Sequence, residues 1–294
     1  MRLGLQNSTL LWLLGLLLFA PPLCAQNGDT MDPAKSEAKA KQLLRQAVQA
    51  LGGVIYENSV ESDCEGRVAQ LDRNGSLMGL NNIHSYWHYP DKNRTEYIVK
   101  STKGGIFAVL VGNMPVKGGA FIQVFNGDRG WTMDKSGVNE ADATTVAEFQ
   151  NSVKRQIHNI LLDRVKEEGT YLQYSGLGVV DLHPVDWVEM IDRDERKVRL
   201  ALDHDSHLPL RTVVITPNEE MHDMDEDVVI YTNYQVNEGV QTPMQVTREH
   251  NGRRTHQIFY NSCKVSPNLP ADFFTEASLQ ERYKKTGGKA PQEK

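Results

Sequence analysis

Along most of the chain, apolar and polar residues alternate with a period of two, and in two stretches the spacing lengthens to three and four. The first stretch opens on Asp32-Pro33, an N-cap followed by proline at the first helical position. It places Ala40, Leu43, Leu44, Ala47, Val48 and Leu51 on one face and stops at Gly52-Gly53. This predicts an amphipathic helix of about five turns, expected on the outside or at the end of a sheet. The second stretch, 144–168, carries Val146, Phe149, Val153, Ile157, Ile160, Leu161 and Val165 in one stripe. Glu148, Asn151, Lys154, Arg155, Asp163 and Lys166 fall largely off it, so one face must be buried. Its natural partner is the concave face of a sheet built from the flanking strands. Either this central helix fills a core, or it acts as a lid over an apolar cavity.

The alternating stretches predict strands over 60–71, 83–89, 95–101, 106–111, 121–125 and 130–133. After the helix they return over 170–175, 185–191, 197–202, 210–216, 227–234, 242–249 and 255–265. Turn signals such as Asn74-Gly75, Pro90-Asp91, Asn126-Gly127 and Asn251-Gly252 separate them at hairpin spacing. The expectation is a mainly β fold of about 11–13 antiparallel strands with a helix at the N-terminus and one in the middle. No linker composition divides the two strand blocks, so 32–277 reads as a single domain. The stretch 278–294 ends in a polar segment containing Lys-Lys-Thr-Gly-Gly and reads as a disordered tail.

Residues 1–25 have a basic start at Arg2, an apolar run from Leu10 to Ala20 and a Pro-containing exit to Ala25, which is the pattern of a secretory signal peptide. A polar linker, 26–31, follows. Leu23 is too large for Cys24 to read as a lipid-attachment site. No later stretch reaches the roughly 18 apolar residues of a spanning helix, so the mature chain is expected to be soluble in the periplasm or secreted. Cleavage leaves Cys64 and Cys263 in an oxidising compartment, in the first and last predicted strands. They form either a bridge tying the ends of the sheet together or two isolated thiols. A net charge of −6 argues against nucleic-acid partners.

No frame for catalysis, cofactor or metal stands out. The chain lacks a nucleophile elbow, a His-Glu-x-x-His helix and a phosphate-binding glycine loop. His84 and His88 are about 13 Å apart along a strand and read as surface or rim residues. His204-Asp205-Ser206-His207 reads as a polar turn, and the acidic run from His222 to Asp227 as a solvated loop lacking the glycine and terminal glutamate of a calcium site. No enzyme activity is expected. The aromatics say more. Ile83, Ser85, Trp87 and Tyr89 share one strand face, and Phe121, Phe125, Trp131, Trp187 and Phe259 lie in strands that can meet it. With Phe149, Val153, Ile157 and Ile160 of the helix stripe, they are the candidate lining of an apolar cavity; core packing accounts for the same residues.

The run from Tyr89-Pro90-Asp91 to Glu96, followed by Phe125-Asn126-Gly127-Asp128-Arg129-Gly130-Trp131, resembles the lipoprotein-sorting carriers of the outer membrane, the LolA-like proteins. A helix over 144–168, a turn at His207-Leu208-Pro209 and a closing stretch from Pro270 to Phe274 follow in that family's order, so the resemblance spans about 34–275. It implies an unclosed antiparallel β-barrel with helices as a lid, holding the acyl chains of a lipid or lipidated protein during transfer, with a membrane-associated protein as a further partner. Pro90 and Trp131 match the pattern. Where well-known carriers have an arginine that helps hold the lid, this chain has Tyr89. The alternative is an interaction or sensor module on the same fold with a filled core.

Overall fold

The computed structural model describes residues 31–99, 108–111, 114–117, 119–193, 196–218 and 222–287. The expected signal peptide, most of the expected linker and the last seven residues lie outside them. From Pro33 onward the chain forms one compact unit.

The elements run α1 (Pro33–Leu51), α2 (Val54–Glu57), β1 (Glu61–Leu71), β2 (Leu77–His88), β3 (Lys92–Val99), β4 (Ala108–Val111), β5 (Met114–Lys117), β6 (Gly119–Asn126), β7 (Arg129–Asp134) and β8 (Gly137–Glu140). Then come α3 (Ala143–Lys154), α4 (Ile157–Leu162), a 3-10 turn at Arg164–Lys166, β9 (Tyr171–Val180), β10 (His183–Ile191), β11 (Lys197–Asp203) and β12 (Pro209–Asn218). The chain continues through β13 (Asp223–Asn237), β14 (Val240–His250), β15 (Arg253–Val265) and α5 (Glu276–Thr286). Thirteen strands form one antiparallel sheet in the order β8-β7-β6-β3-β2-β1-β15-β14-β13-β12-β11-β10-β9, and β4 and β5 make a separate hairpin. The pairing of β1 with β15 joins the first strand to the last. Among the described residues β8 and β9 do not pair, so the barrel is unclosed. These two edges flank α3 and α4 in sequence, which makes the helical stretch the direct connection across the gap.

Curvature comes partly from a bulge in β1 between Glu65 and Gly66, opposite β15. A Cβ on Gly66 would lie 2.2 Å from the Phe259 carbonyl oxygen, so only glycine allows this approach.

The register separates the two faces. Directly opposed residues Leu200 and Thr212, or Val198 and Val214, point inward, and α1 covers them. Leu43, Leu44, Ala47 and Leu51 pack there with Leu172, Val188, Met190 and Leu202. The helix therefore fills one half of the concave face, where the sequence pattern placed it outside or at an end. The Ser36 hydroxyl donates to the Tyr174 carbonyl (3.2 Å) and accepts from the Tyr174 N–H (3.0 Å), covering part of edge strand β9.

The single central helix expected over 144–168 is broken. Gln156 is extended (φ −66°, ψ 129°) and separates α3 from α4. The two halves serve different surfaces: Phe149 of α3 meets β6 and β2, whereas Ile160 and Leu161 of α4 join the α1 core. One straight helix cannot present its stripe to both. Asn159 caps the break, its Nδ2 donating to the carbonyls of Val153 (3.0 Å) and Pro90 (2.8 Å).

The C-terminal stretch also differs from expectation. Instead of disorder from 278, α5 lies on the convex face, with Leu279 fully buried among Ile122, Trp131, Met133 and Phe274. Thr275 caps it, and a polar clamp holds it. Arg94 bonds Glu96 (2.7 Å), the Phe273 carbonyl and Ser278, and Arg282 of α5 reaches the same Glu96 (3.3 Å). The acidic run expected as a loop enters β13 at Asp223.

Candidate functional site

The half of the concave face that α1 leaves uncovered is a hollow of about 570 Å³. Its floor is a row of opposed residues: Val68 on β1 faces Ile258 on β15, Ile258 faces Val246 on β14, and Val246 faces Tyr231 on β13. Ile83, Ser85 and Trp87 of β2, Thr95 and Tyr97 of β3, and Gln123 and Phe125 of β6 extend the wall. The roof is α3 with the start of α4. Phe149, the one buried residue of α3, stacks on Phe125 with ring centroids 4.3 Å apart.

From there a ladder of rings runs along the lid. Trp87 lies 6.1 Å from Phe149 and 5.8 Å from Tyr89; Tyr89 stacks on His158 of α4 at 3.8 Å, and His158 meets Tyr56 at 5.3 Å. Aromatic contact therefore fastens the lid at Tyr89. His158 Nε2 donates to the Ser59 carbonyl (3.0 Å), and burial pulls its pKa below the usual value. At the other margin Arg155 pairs with Asp227 of β13, latching the lid with an ion pair.

Six tyrosines line the hollow. Burial raises the phenols of Tyr89 and Tyr97, holds Tyr231 and Tyr260 at about 12, and lifts Tyr56 and Tyr234 well above the usual value. They are neutral hydroxyls at any physiological pH. Desolvation and then the Arg248 charge bring His256 on the floor down to about 4, so it too is neutral at pH 7.

Of the eleven residues proposed from sequence as lining, the structure brings Trp87, Tyr89, Phe125, Phe149 and Ile157 to the hollow. Phe121 is buried beside Tyr97, and Ile160 packs into the α1 core; Val153 sits at the end of α3, away from the lining. Trp131 lies on the convex face under α5, Trp187 packs with Val185 and Ala201 away from α1, and Phe259 is 38% exposed. Alternation assigns residues to one of two faces without saying which is concave, and here both faces carry aromatics. Sequence patterning does not single out the tyrosines at 56, 97, 231, 234 and 260, although all but Tyr56 fall within predicted strands.

Cys64 and Cys263, opposed across β1 and β15, are bonded (S–S 2.11 Å) and buried in the wall of the hollow. His84 contacts Asp63 (2.5 Å) and Tyr86 (2.8 Å) on the convex face, His88 contacts Glu61 (3.1 Å), and His204 contacts Asp186 (2.7 Å). Among the described residues no group of His, Cys, Asp or Glu is arranged to hold a metal ion, and no helix is long and apolar enough to cross a membrane.

An open antiparallel barrel, half filled by one helix and roofed over its other half by a broken second one, defines a LolA-like half-barrel fold with a hollow of ligand size. Solved structures share it, and two serve as examples. A DUF1329 family protein from Desulfovibrio piger matches at TM-score 0.55 and 14% identity, over 85% of this chain and 100% of that one. A putative outer membrane lipoprotein-sorting protein domain from Vibrio parahaemolyticus matches at TM-score 0.51 and 12% identity, over 83% and 99%. No family model matches the sequence, and no curated protein does.

Proposed function

We propose that the chain is a non-enzymatic binding or carrier protein that holds the acyl part of a lipid or lipidated protein in this hollow, working in the periplasm or as a secreted protein. The observation that carries the reading is the hollow itself: about 570 Å³ of connected space between the sheet and the lid, within the range of ligand pockets. Trp87, Tyr89, Phe125, Phe149 and Ile157 are the lining residues we assign to ligand contact. Each buried methylene contributes about 0.8 kcal/mol, so a long acyl chain reaches micromolar affinity even after the cost of ordering it. Entry requires only that the lid lift, since Phe149 is the sole residue of α3 that is fully packed. The lipoprotein-sorting domain from Vibrio parahaemolyticus shares the fold, which supports this reading and a membrane-associated partner.

The test is displacement of a fluorescent acyl probe. Saturable binding near one probe per chain, reversed by long-chain lipids, is expected. A probe that binds no better than to an unrelated β-protein rules the reading out in favour of an interaction module.

A further inference from the structure

We propose that Arg248 anchors the anionic head of the guest, so that the hollow takes a single-chain acidic amphiphile, carboxylate or phosphate at its head, with the chain running toward Trp87 and Tyr89. This rests on the acyl-binding reading above and narrows it to one ligand class.

Arg248 is on the floor of the hollow, half-buried, directly opposite His256 on β15 and Val229 on β13. Among the described residues its guanidinium makes no ion pair and no hydrogen bond, while the acids near it have a cation of their own or face solvent. Arg155 and His250 hold Asp227, Arg254 lies 3.9 Å from Glu249, and Glu148 of α3 is exposed to solvent. A cation left without a partner in a partly dehydrated wall is costly, and a ligand anion removes that cost. The planar fork of arginine suits this, because it meets a carboxylate or phosphate through two parallel N–H donors.

The wall next to Arg248 is polar, with Gln70, Thr255 and His256 beside it; at the other end the rings of Tyr56, Trp87 and Tyr89 and the side chains of Val240 and Val265 supply the apolar surface, interspersed with Ser62 and Thr242. The charge of Arg248 also reaches the phenols of Tyr97, Tyr231 and Tyr260. These hydroxyls and the neutral His256 add hydrogen-bonding groups without a competing negative charge.

The experiment is a calorimetric titration of the full disulfide-bonded chain with hexadecanoic acid, hexadecyl phosphate, hexadecan-1-ol and inorganic phosphate, repeated on Arg248→Gln and Arg248→Lys. In the native chain both acids are expected to bind at least about tenfold more tightly than the alcohol, the size of one charge-assisted contact, and inorganic phosphate far more weakly. Arg248→Gln is expected to abolish that preference while leaving the alcohol within about twofold, and Arg248→Lys to restore part of it. Equal binding of acid and alcohol by the native chain overturns the anchor and leaves the acyl-binding reading standing. Loss of affinity for acid and alcohol alike in Arg248→Gln overturns the anchor in the same way. Binding of inorganic phosphate as tight as that of the acids overturns the amphiphile in favour of a free anion. If none of the long-chain compounds binds, both readings fall together. The comparison within the native chain needs no variant, so misfolding of a mutant does not leave the question open.

Discussion

His256 makes stability depend on pH. Its folded pKa of about 4 lies below the usual 6.5, so the unfolded chain binds more protons between those values. The contribution is fully present above pH 6.5 and is lost as pH falls toward 4. The gap corresponds to at most about 3 kcal/mol. His158 is shifted in the same direction by burial and adds to the slope. Urea unfolding at about pH 7.5 and about pH 4.5 is expected to show a smaller acid loss for His256→Gln than for the native chain, and identical losses would refute the assignment. The same residue illustrates what sequence patterning delivers. Position 256 is plainly in a strand, yet its burial and its arginine neighbour follow from cross-strand register. Trp87 and Phe149 were recognisable because ring size and spacing both point inward. Arg248 was not, because an arginine in an alternating strand reads as solvent-facing.

At the scale of elements, the lid is held by the stacked rings of Phe149 and His158, the His158 hydrogen bond to Ser59 and the Arg155–Asp227 ion pair. Arg155 and Asp227 are each more than a quarter exposed, so their pair is worth less than about 1 kcal/mol. Asp227→Asn is therefore expected to leave global stability nearly unchanged while raising hydrogen exchange in α3 relative to α1. Protection of α3 equal to that in the native chain would show that the latch does nothing. On the convex face, Leu279 is fully buried in an α5 that the sequence pattern left disordered. Leu279→Ala is expected to cost about 2–4 kcal/mol in docking α5, read as rapid proteolysis beyond Thr275; unchanged resistance would contradict that packing. Patterning misses this helix because its apolar content is low, with Leu279 and Tyr283 set among charges, and its docking depends on Arg94 and Glu96 from a distant strand. By contrast α1 matches its predicted limits, because Asp32-Pro33 and Gly52-Gly53 mark both ends chemically. The break at Gln156 has no such mark; two packing partners on different surfaces decide it.

At the scale of the whole molecule, the sheet is an open ribbon with edges β8 and β9, and the chain's first and last strands, β1 and β15, pair within it, with the Cys64–Cys263 bond across that seam, 199 residues apart in sequence. Replacing both cysteines by serine is expected to lower stability by about 2–4 kcal/mol, measured as a reduced denaturant midpoint; an unchanged midpoint would mean that the bond adds nothing to β1–β15 pairing. Hairpin spacing made the antiparallel topology legible in the sequence, and the family resemblance supplied the open barrel. The division of the concave face was not legible, because it depends on how far α1 reaches along β9 to β12. That division leaves the hollow and therefore carries the functional reading.

The most direct measurement is native mass spectrometry of the chain mixed with hexadecanoic acid, alongside a Val246→Trp variant that fills the floor of the hollow. One ligand bound per native chain, and none on a variant that keeps its fold and its disulfide, is the expected result. Equal loading of both proteins would place the lipid elsewhere on the surface and contradict the account.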